Sequence, residues 1–284
     1  MRAARLPIIL LIVALAAVSG SQAWLETRAD PPETAARLLY VPNGRFLEVA
    51  SLGHATFVAD LIYLWSIQHY STYTSDADRF GFLEHLYSKV IARLDPQFVD
   101  PYLVGALLLA IEGHDLEGAF RLLDQGMAAN PDAWLLPYEA GFWAYDMAHQ
   151  YDRAAAYFDR AMAIPGAPVH TRRLHAEMFN KRGDKATSLR LWTAVLDDAG
   201  DDERVRAIAA NHVHDLSIDL HVQQFTAAIE SYVSRHGRRP VRLEALVDDG
   251  LLAALPVDPD GRRYDYDVST GAITSSTPFR LRRR

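Results

Sequence analysis

The feature that most constrains this chain is a stretch that it repeats at a fixed distance. The segment LLDQGMAANP, residues 122–131, returns 35 residues later as YFDRAMAIPG, residues 157–166. Both contain a proline from a longer series, Pro96, Pro131 and Pro165, whose members are almost evenly spaced. Between these prolines, apolar residues recur at three- and four-residue spacings, which is typical of amphipathic helices. The sequence therefore predicts repeated helical units.

A period of about 34 residues with two helices per unit resembles the tetratricopeptide repeat (TPR) family. In each second helix, small residues stand where the partner helix would cross closely. The resemblance rests on Ala119, Leu123, Gly126, Ala154, Phe158 and Ala161 in second helices, and on Tyr138, Gly141, Phe142 and Tyr145 in a first helix. It covers residues 55–199 and is best over 97–166. It implies a mostly α protein, a solenoid of stacked helical hairpins with a concave groove.

The predicted TPR-like domain covers residues 46–202 and is followed by one long amphipathic helix, residues 203–239, which could cap its open end. Residues 167–199 fit the repeat less well, because Ala186 is out of phase with Ala154. We expect about four hairpins, two of them divergent, since terminal repeats bury only one face. The alternative is a helical bundle that shares the period by accident.

The last part of the chain, residues 240–284, predicts a small α/β module with a basic tail. A short helix begins at Leu243, and a β-hairpin follows, in which tyrosines alternate with charged residues. Residues 240–276 resemble the C-terminal region of type II secretion pseudopilins, a resemblance carried by Leu246, Val247, Gly250, Leu251, Leu255, Pro256, Asp258, Pro259, Gly261, Tyr264 and Tyr266. It implies the local fold alone, because a pseudopilin places an apolar assembly helix at its N-terminus.

The N-terminus carries a predicted export segment. Two arginines precede a run without polar side chains from Leu6 to Val18, and small residues follow up to Ala23. This layout predicts a signal peptide over residues 1–23. An uncleaved membrane anchor and a buried core helix are the alternatives, and residues 24–45 are predicted to be a linker. The protein is therefore expected to be exported, either periplasmic or anchored in the inner membrane and facing the periplasm.

Composition excludes several classes of function. The formal net charge is -7, which argues against a general nucleic-acid binder, because such proteins need a basic surface. The chain has no cysteine, so neither a disulfide framework nor a thiolate zinc site is available. It also lacks phosphate-binding glycine motifs and a recognisable nucleophile motif. We therefore expect no enzyme activity and no cofactor.

The concave face of the predicted solenoid is the expected binding surface. If Tyr138, Gly141, Phe142 and Tyr145 pack internally, their neighbours on the same helix face the groove. An aromatic ring flanked by carboxylates would suit a peptide with apolar and basic side chains. The predicted partner-binding residues are Glu139, Trp143 and Asp146, with Val104, Leu108 and Glu112 one unit earlier. The alternative for Trp143 is that it packs on the preceding hairpin.

A second candidate surface lies on the first helix of the repeat region, from residue 55. Its apolar residues cover most of the circumference, more than a core needs. Leu61 and Trp65 are predicted to dock onto a membrane protein or a lipid surface. Asp60 and His54 argue against a membrane-spanning helix.

Two clusters could hold a metal ion, but each also has a simpler interpretation. His214, Asp215 and His221 share a predicted helix, and His212 and Asp219 lie seven residues apart on it. A solvated helix face explains the same residues. The aspartate-rich stretch 258–267 could hold calcium, although ordinary turn chemistry also accounts for its composition.

Together these features predict an exported TPR-type adaptor for protein–protein interaction, in the assembly of an envelope, secretion, pilus or transport complex. Its partner would be a protein or peptide, expected to be a component of a membrane complex. The N-terminal segment could associate with the membrane. The alternatives are a fixed structural subunit docked through its first helix and, less favoured, a metal-dependent enzyme.

Overall fold

The computed structural model describes residues 41–70 and 79–281. Side chains are described for residues 41–68 and 81–281. Most of this part of the chain is helical, which confirms the mostly α class. The predicted signal peptide or anchor, residues 1–23, and nearly all of the predicted linker lie outside the described residues. In the described part of the chain, no helix is both long enough and apolar enough to cross a bilayer.

Helices follow one another with short connections. The N-terminal elements are α1 (Gly44–Ala50), α2 (Ala55–Tyr70), α3 (Arg79–His85), the π-helix π1 (Leu86–Ile91) and α4 (Ala92–Leu94). Next come α5 (Val99–Ile111), α6 (Leu116–Ala129), α7 (Leu135–Asp146), α8 (Tyr151–Met162), α9 (His170–Lys181) and α10 (Lys185–Asp197). The last elements are α11 (Glu203–His236), α12 (Glu244–Asp248), β1 (Tyr264–Tyr266) and β2 (Ile273–Ser275).

Aspartate caps fix where several of these helices begin. The side chains of Asp115, Asp184 and Asp202 each accept a hydrogen bond from a backbone N–H three residues later, at the first turns of α6, α10 and α11. These bonds satisfy donors that a helix start leaves without an intrahelical partner. The short polar connections therefore specify successive helices that turn back on one another.

Buried positions repeat at the same interval as the sequence. Along α5 and α7, buried residues recur in matching pairs, which are Pro101/Leu136, Tyr102/Pro137, Gly105/Ala140, Ala106/Gly141 and Leu109/Ala144. Along α6 and α8 the matching pairs are Ala119/Ala154, Phe120/Ala155, Leu123/Phe158 and Gly126/Ala161. The small positions predicted for the second helices are therefore confirmed as buried.

A third pair of helices continues this pattern of buried positions with different residue types. Ser188, Trp192 and Val195 on α10 are buried, and they correspond, in order, to the buried Ala154, Phe158 and Ala161 of α8. Ser188 fills the small-residue position, and its hydroxyl donates to the carbonyl oxygen of Ala176 at 2.9 Å. Ala186 is exposed, so its mismatch reflects a small shift of phase within the helix rather than the end of the pattern.

The helices pack in chain order. From α5 to α11, each helix contacts the next one, and α5 also contacts α7. Gly141 permits one of the close approaches, since a Cβ atom there would lie 2.8 Å from the ring of Phe158 on α8. The first helices of the first two pairs, α5 and α7, are therefore neighbours.

Helix α11 spans two cores. Its first half contributes Ala209 and Leu216 to a cluster with Trp192, and its second half contributes Phe225 and Ile229 to another. The helix ends slightly before the predicted boundary, where Gly237 takes a left-handed φ of 68°. The predicted long helix is therefore confirmed, and it joins the third pair to the C-terminal module.

The C-terminal module has the predicted short helix and β-hairpin. Strands β1 and β2 pair antiparallel, with Tyr264 opposite Ser275 and Tyr266 opposite Ile273. Both strands are only three residues long. The hairpin packs on α11, where Tyr264 and Ile273 join the second core cluster together with Leu246 of α12. This contact supplies the apolar support that an isolated hairpin lacks.

Candidate functional site

A cavity of about 370 Å³ is lined by residues from four helices, α7, α9, α10 and α11. Aromatic and aliphatic side chains form much of its wall, and charged groups stand among them. The lining residues are Tyr138, Phe142, His170, Arg173, Leu174, Glu177, Trp192, Ile208 and His212. Its volume lies within the range of ligand-binding pockets. Because several helices contribute side chains to one space, we take this cavity as the candidate site.

Each wall of the cavity is one stripe of a helix. The four lining residues of α9 follow spacings of three, one and three positions, so they share one face. Helices α7 and α11 each contribute two residues four positions apart, which is again a single face. The Tyr138 hydroxyl and His170 Nε2 lie 3.0 Å apart and link α7 to α9. Helix periodicity therefore places the lining residues of α7, α9 and α11 each on one face of their helix, and all three faces border the cavity.

Trp192 and His212 form the wall between α10 and α11. Their rings stack with centroids 3.8 Å apart and an angle of 4° between the planes. Trp192 is 2% exposed, and its indole Nε1 has no hydrogen-bond partner among the described residues. Trp192 occupies the position that Leu123 and Phe158 hold in the earlier pairs. The third pair therefore replaces an ordinary core residue with a ring that carries a polar group.

Two ionisable groups of the cavity, His212 and Glu177, have pKa values shifted in opposite directions. Burial lowers the pKa of His212 to about 4, and the charge of Arg173 also lowers it, against an opposing effect of Asp215. Burial raises the pKa of Glu177, although Asn180 donates to its carboxylate at 3.2 Å and Lys181 lies 3.9 Å away. At neutral pH His212 is therefore uncharged, and Arg173 is the cation of the cavity wall.

The prediction that Trp143 faces a groove is wrong. Trp143 is only 7% exposed, whereas Phe142 is 37% exposed and lines the cavity. Trp143 follows the buried Leu136 by seven residues, and this spacing returns it to the same face of the helix. Adjacent residues differ by about 100° around a helix, so the two rings exchange the roles that the sequence predicts. Trp143 is therefore packed inside the protein; the alternative, that it packs on the preceding hairpin, stays a prediction.

The other predicted groove residues also lie outside the cavity. Val104, Leu108 and Glu139 are partly buried, and burial raises the pKa of Glu139. Glu112 and Asp146 are exposed. None of the six predicted residues lines the cavity.

The exposed apolar side chains of the first helices stand one residue before the predicted ones. Leu107 and Ile111 on α5 are 42% and 52% exposed, and Phe142 is the counterpart of Leu107 on α7, one repeat later. The error is thus a rotation of one position around each helix. It arises because Phe, Trp and Leu suit both a core and a groove, so residue type alone does not decide which ring is inside.

Apart from His212, which the sequence suggests only as a metal ligand, the cavity residues of α9, α10 and α11 are missing from the sequence-based prediction. The signal was present in α9, where His170, Arg173, Leu174 and Glu177 follow a one-face spacing. However, this helix belongs to the divergent part of the repeat. The sequence suggests that the long helix could cap the open end of the repeats, but it does not place particular residues of α11 beside α9.

Helix α2 carries an exposed apolar surface, as the sequence predicts for Leu61. Leu61 is 50% exposed, and the other strongly exposed apolar residues on this helix are Phe57, Leu64 and Ile67. Trp65 is only partly buried, and its ring lies 6.5 Å, centroid to centroid, from that of Phe82. The exposed surface of α2 therefore runs through Leu61 and Leu64, with Trp65 at its packed edge.

The suggested metal ligands on α11 do not converge. His214 Nδ1 pairs with Asp215 at 2.8 Å, and Asp215 also accepts backbone N–H bonds from Arg280 and Leu281. His221 instead pairs with the Tyr264 hydroxyl at 2.9 Å. In the described part of the chain, no group of three or more His, Asp or Glu residues is arranged to hold a metal ion. The hypothesis of a metal site at His214, Asp215 and His221 is therefore wrong for this structure.

The aspartates of 258–267 serve as turn residues. Asp258 accepts hydrogen bonds from the backbone of Asp260 and Arg262 and from the hydroxyls of Ser275 and Thr277. Hydrogen bonds from Ser269 and Thr270 lower the pKa of Asp267 to about 2. Protein donors already occupy both carboxylates, so turn chemistry accounts for this stretch.

No protein-family model and no curated protein matches this chain. The resemblances to TPR proteins and to pseudopilins therefore rest on the sequence patterns themselves.

Proposed function

We propose that this chain is an exported adaptor of the TPR type, which receives a protein or peptide partner on its concave face. The observation that carries the proposal is the regular repetition of buried positions along α5–α8, which α10 continues at nearly the same interval. A repeat of about 34 residues with two helices per unit is the TPR pattern. Such proteins present a preformed surface, so binding costs little ordering of the adaptor itself.

The binding face consists of the first helices of successive pairs. Leu107, Ile111 and Phe142 expose apolar area there, and the cavity beside α9 continues the same face. Apolar residues around a pocket with a few polar groups are typical of sites that anchor a partner. The envelope setting, in assembly of a secretion, pilus or transport complex, is supported by the predicted export segment and by the likeness of residues 240–276 to pseudopilins.

Site-specific photocrosslinking in cells that produce the full chain tests this proposal. A photoreactive phenylalanine analogue at Leu107 or Phe142 should form discrete adducts with one partner. The matched control is the same analogue at Ala156, an exposed residue of α8. Adducts that form equally from Ala156, or none from Leu107 and Phe142, would contradict a role for the concave face.

A second candidate function is a fixed structural subunit docked through α2. The observation that favours it is the row of Phe57, Leu61, Leu64 and Ile67, each at least 45% exposed. A helix with apolar residues on its outer face is normally covered by another surface.

Replacing Leu61 and Leu64 together by glutamine discriminates between the two candidates. If the protein is a fixed subunit docked through α2, the double variant should leave the membrane fraction. The crosslinks from Leu107 and Phe142 should then be absent in the parent protein as well. In the adaptor, the crosslinks from Phe142 persist in the double variant. Trp65 is not a suitable target, because its contact with Phe82 makes its loss a packing defect as well.

A further inference from the structure

The cavity wall contains an arginine without a carboxylate partner. Arg173 is partly buried and forms no ion pair with any described residue, although Glu177 stands one helical turn further along α9. Neighbouring arginines do find partners, since Arg172 pairs with Asp198 at 2.8 Å and Arg182 pairs with Asp152. A guanidinium left unpaired in a concave site favours an anionic partner.

The remaining polar groups do not supply that anion. Glu177 accepts a hydrogen bond from Asn180 and lies 3.9 Å from both Lys181 and His212. Tyr138 and His170 bond to each other. The indole N–H of Trp192 also has no acceptor among the described residues, but this atom is buried. Among the described residues, Arg173 is therefore the charged group of the cavity wall that has no hydrogen-bond or ion-pair partner, whereas Glu177 already has partners.

Apolar side chains surround this cation. Phe142, Leu174 and Ile208 come from three different helices and line the same space. An inorganic anion would leave these surfaces exposed to water. A ligand that fits the whole cavity therefore carries an apolar group beside its negative charge.

We propose that this cavity binds a peptide segment in which a carboxylate lies next to an apolar side chain, with Arg173 contacting the carboxylate. The inference rests on the proposed adaptor function and names the chemistry of the partner. The apolar side chain enters between Phe142, Leu174 and Ile208. The carboxylate has two possible sources, an acidic side chain within the segment or the free C-terminus of the partner.

Fluorescence anisotropy with short labelled peptides tests the chemistry directly. The probes share one neutral Gly-Ser background and differ only at the recognition element. One contains Phe-Asp with an amidated C-terminus, one ends in Phe with a free carboxylate, and two amidated peptides contain Phe-Lys or Phe-Asn. We expect at least one carboxylate peptide to bind about tenfold or more tightly than the Phe-Lys and Phe-Asn peptides. Whichever carboxylate peptide binds more tightly identifies the source.

Arg173→Ala should weaken binding of the preferred peptide by about tenfold or more, because a charge-assisted contact is lost. Arg172→Ala is the matched control, and it should change affinity less than about twofold, since Arg172 pairs with Asp198 outside the cavity. Circular dichroism of both variants checks that the helices remain. Equal binding of the Phe-Lys peptide, no binding of either carboxylate peptide, or an unaffected Arg173→Ala would overturn the inference.

The crosslinking experiment separates this inference from the adaptor function. If Arg173→Ala leaves the adducts from Leu107 and Phe142 intact and the peptides show no preference for a carboxylate, the adaptor stands and its ligand chemistry is different. If the adducts themselves are absent, the adaptor function fails whatever the peptides show.

Discussion

The first two helix pairs, α5–α8, and the third pair, α9–α10, use the same buried positions for different purposes. In the first two pairs these positions hold alanine, glycine, leucine and phenylalanine, and the interior is apolar. In the third pair they hold Ser188 and Trp192, and a cavity with several ionisable side chains opens beside them. The regular pairs therefore serve as scaffold, and the irregular pair carries most of the polar chemistry.

The difference has a structural cause. Each of the first two pairs is followed by another helix pair, whereas α11 covers the third pair. Helix α11 presents Ile208 and His212 to the cavity and stacks His212 on Trp192. A neighbour outside the repeat thus accompanies polar groups at positions where the first two pairs have apolar residues.

The largest expected effect is on the scaffold. Phe158→Ala removes a ring that is 0% exposed and should lower the free energy of unfolding by about 3–5 kcal/mol. Phe142→Ala, on the neighbouring helix, should lower the free energy of unfolding by less, because that residue is 37% exposed. Urea denaturation of both variants measures the difference. Equal losses would show that the assignment of inner and outer rings is mistaken.

An intermediate effect is expected from pH at the third pair. The pKa of His212 is about 4 in the folded protein and near 6.5 when unfolded, so the unfolded chain takes up a proton first as pH falls. His212 should therefore contribute no pH dependence above pH 6.5. As the pH falls from the higher to the lower of these two pKa values, His212 should lower the free energy of unfolding by roughly 1–2 kcal/mol. This value is reduced because the side chain is partly exposed.

A variant isolates this contribution from the other titrating groups. His212→Phe keeps a ring against Trp192 and cannot titrate, so its loss of stability over that range should be smaller than in the parent protein. Urea denaturation at several pH values measures both slopes. Parallel curves for the two proteins would contradict a buried, uncharged His212.

The smallest effect is expected at the position that marks the divergence. Ser188→Ala restores the residue type of the first two pairs and removes the hydrogen bond to the Ala176 carbonyl. The free energy of unfolding should fall by about 1 kcal/mol or less, because that carbonyl lies within helix α9. Thermal unfolding at neutral pH is sensitive enough to measure it. A loss as large as that of Phe158→Ala would mean that Ser188 is more than a small residue with one extra bond.

The sequence predicts the fold better than the site. Periodicity and the positions of Ala119, Ala154 and Gly126 identify the paired helices, since small residues are needed where helices cross. The roles of Phe142 and Trp143 were not predictable in the same way, because one position changes the direction by about 100° and both rings are apolar. The cavity depends on where α11 lies beside α9, and no local pattern encodes that contact.

The 34-residue helix α11 has a mechanical consequence. At about 1.5 Å per residue it is a rod of roughly 50 Å, and it runs without a break from Ile208 beside the cavity to Phe225 under the hairpin. The cavity wall that holds His212 and the apolar residues under the hairpin therefore belong to one continuous helix, which fixes the distance between them. Deleting the hairpin would expose the apolar residues at the C-terminal end of α11, so the C-terminal module cannot be removed without affecting this helix.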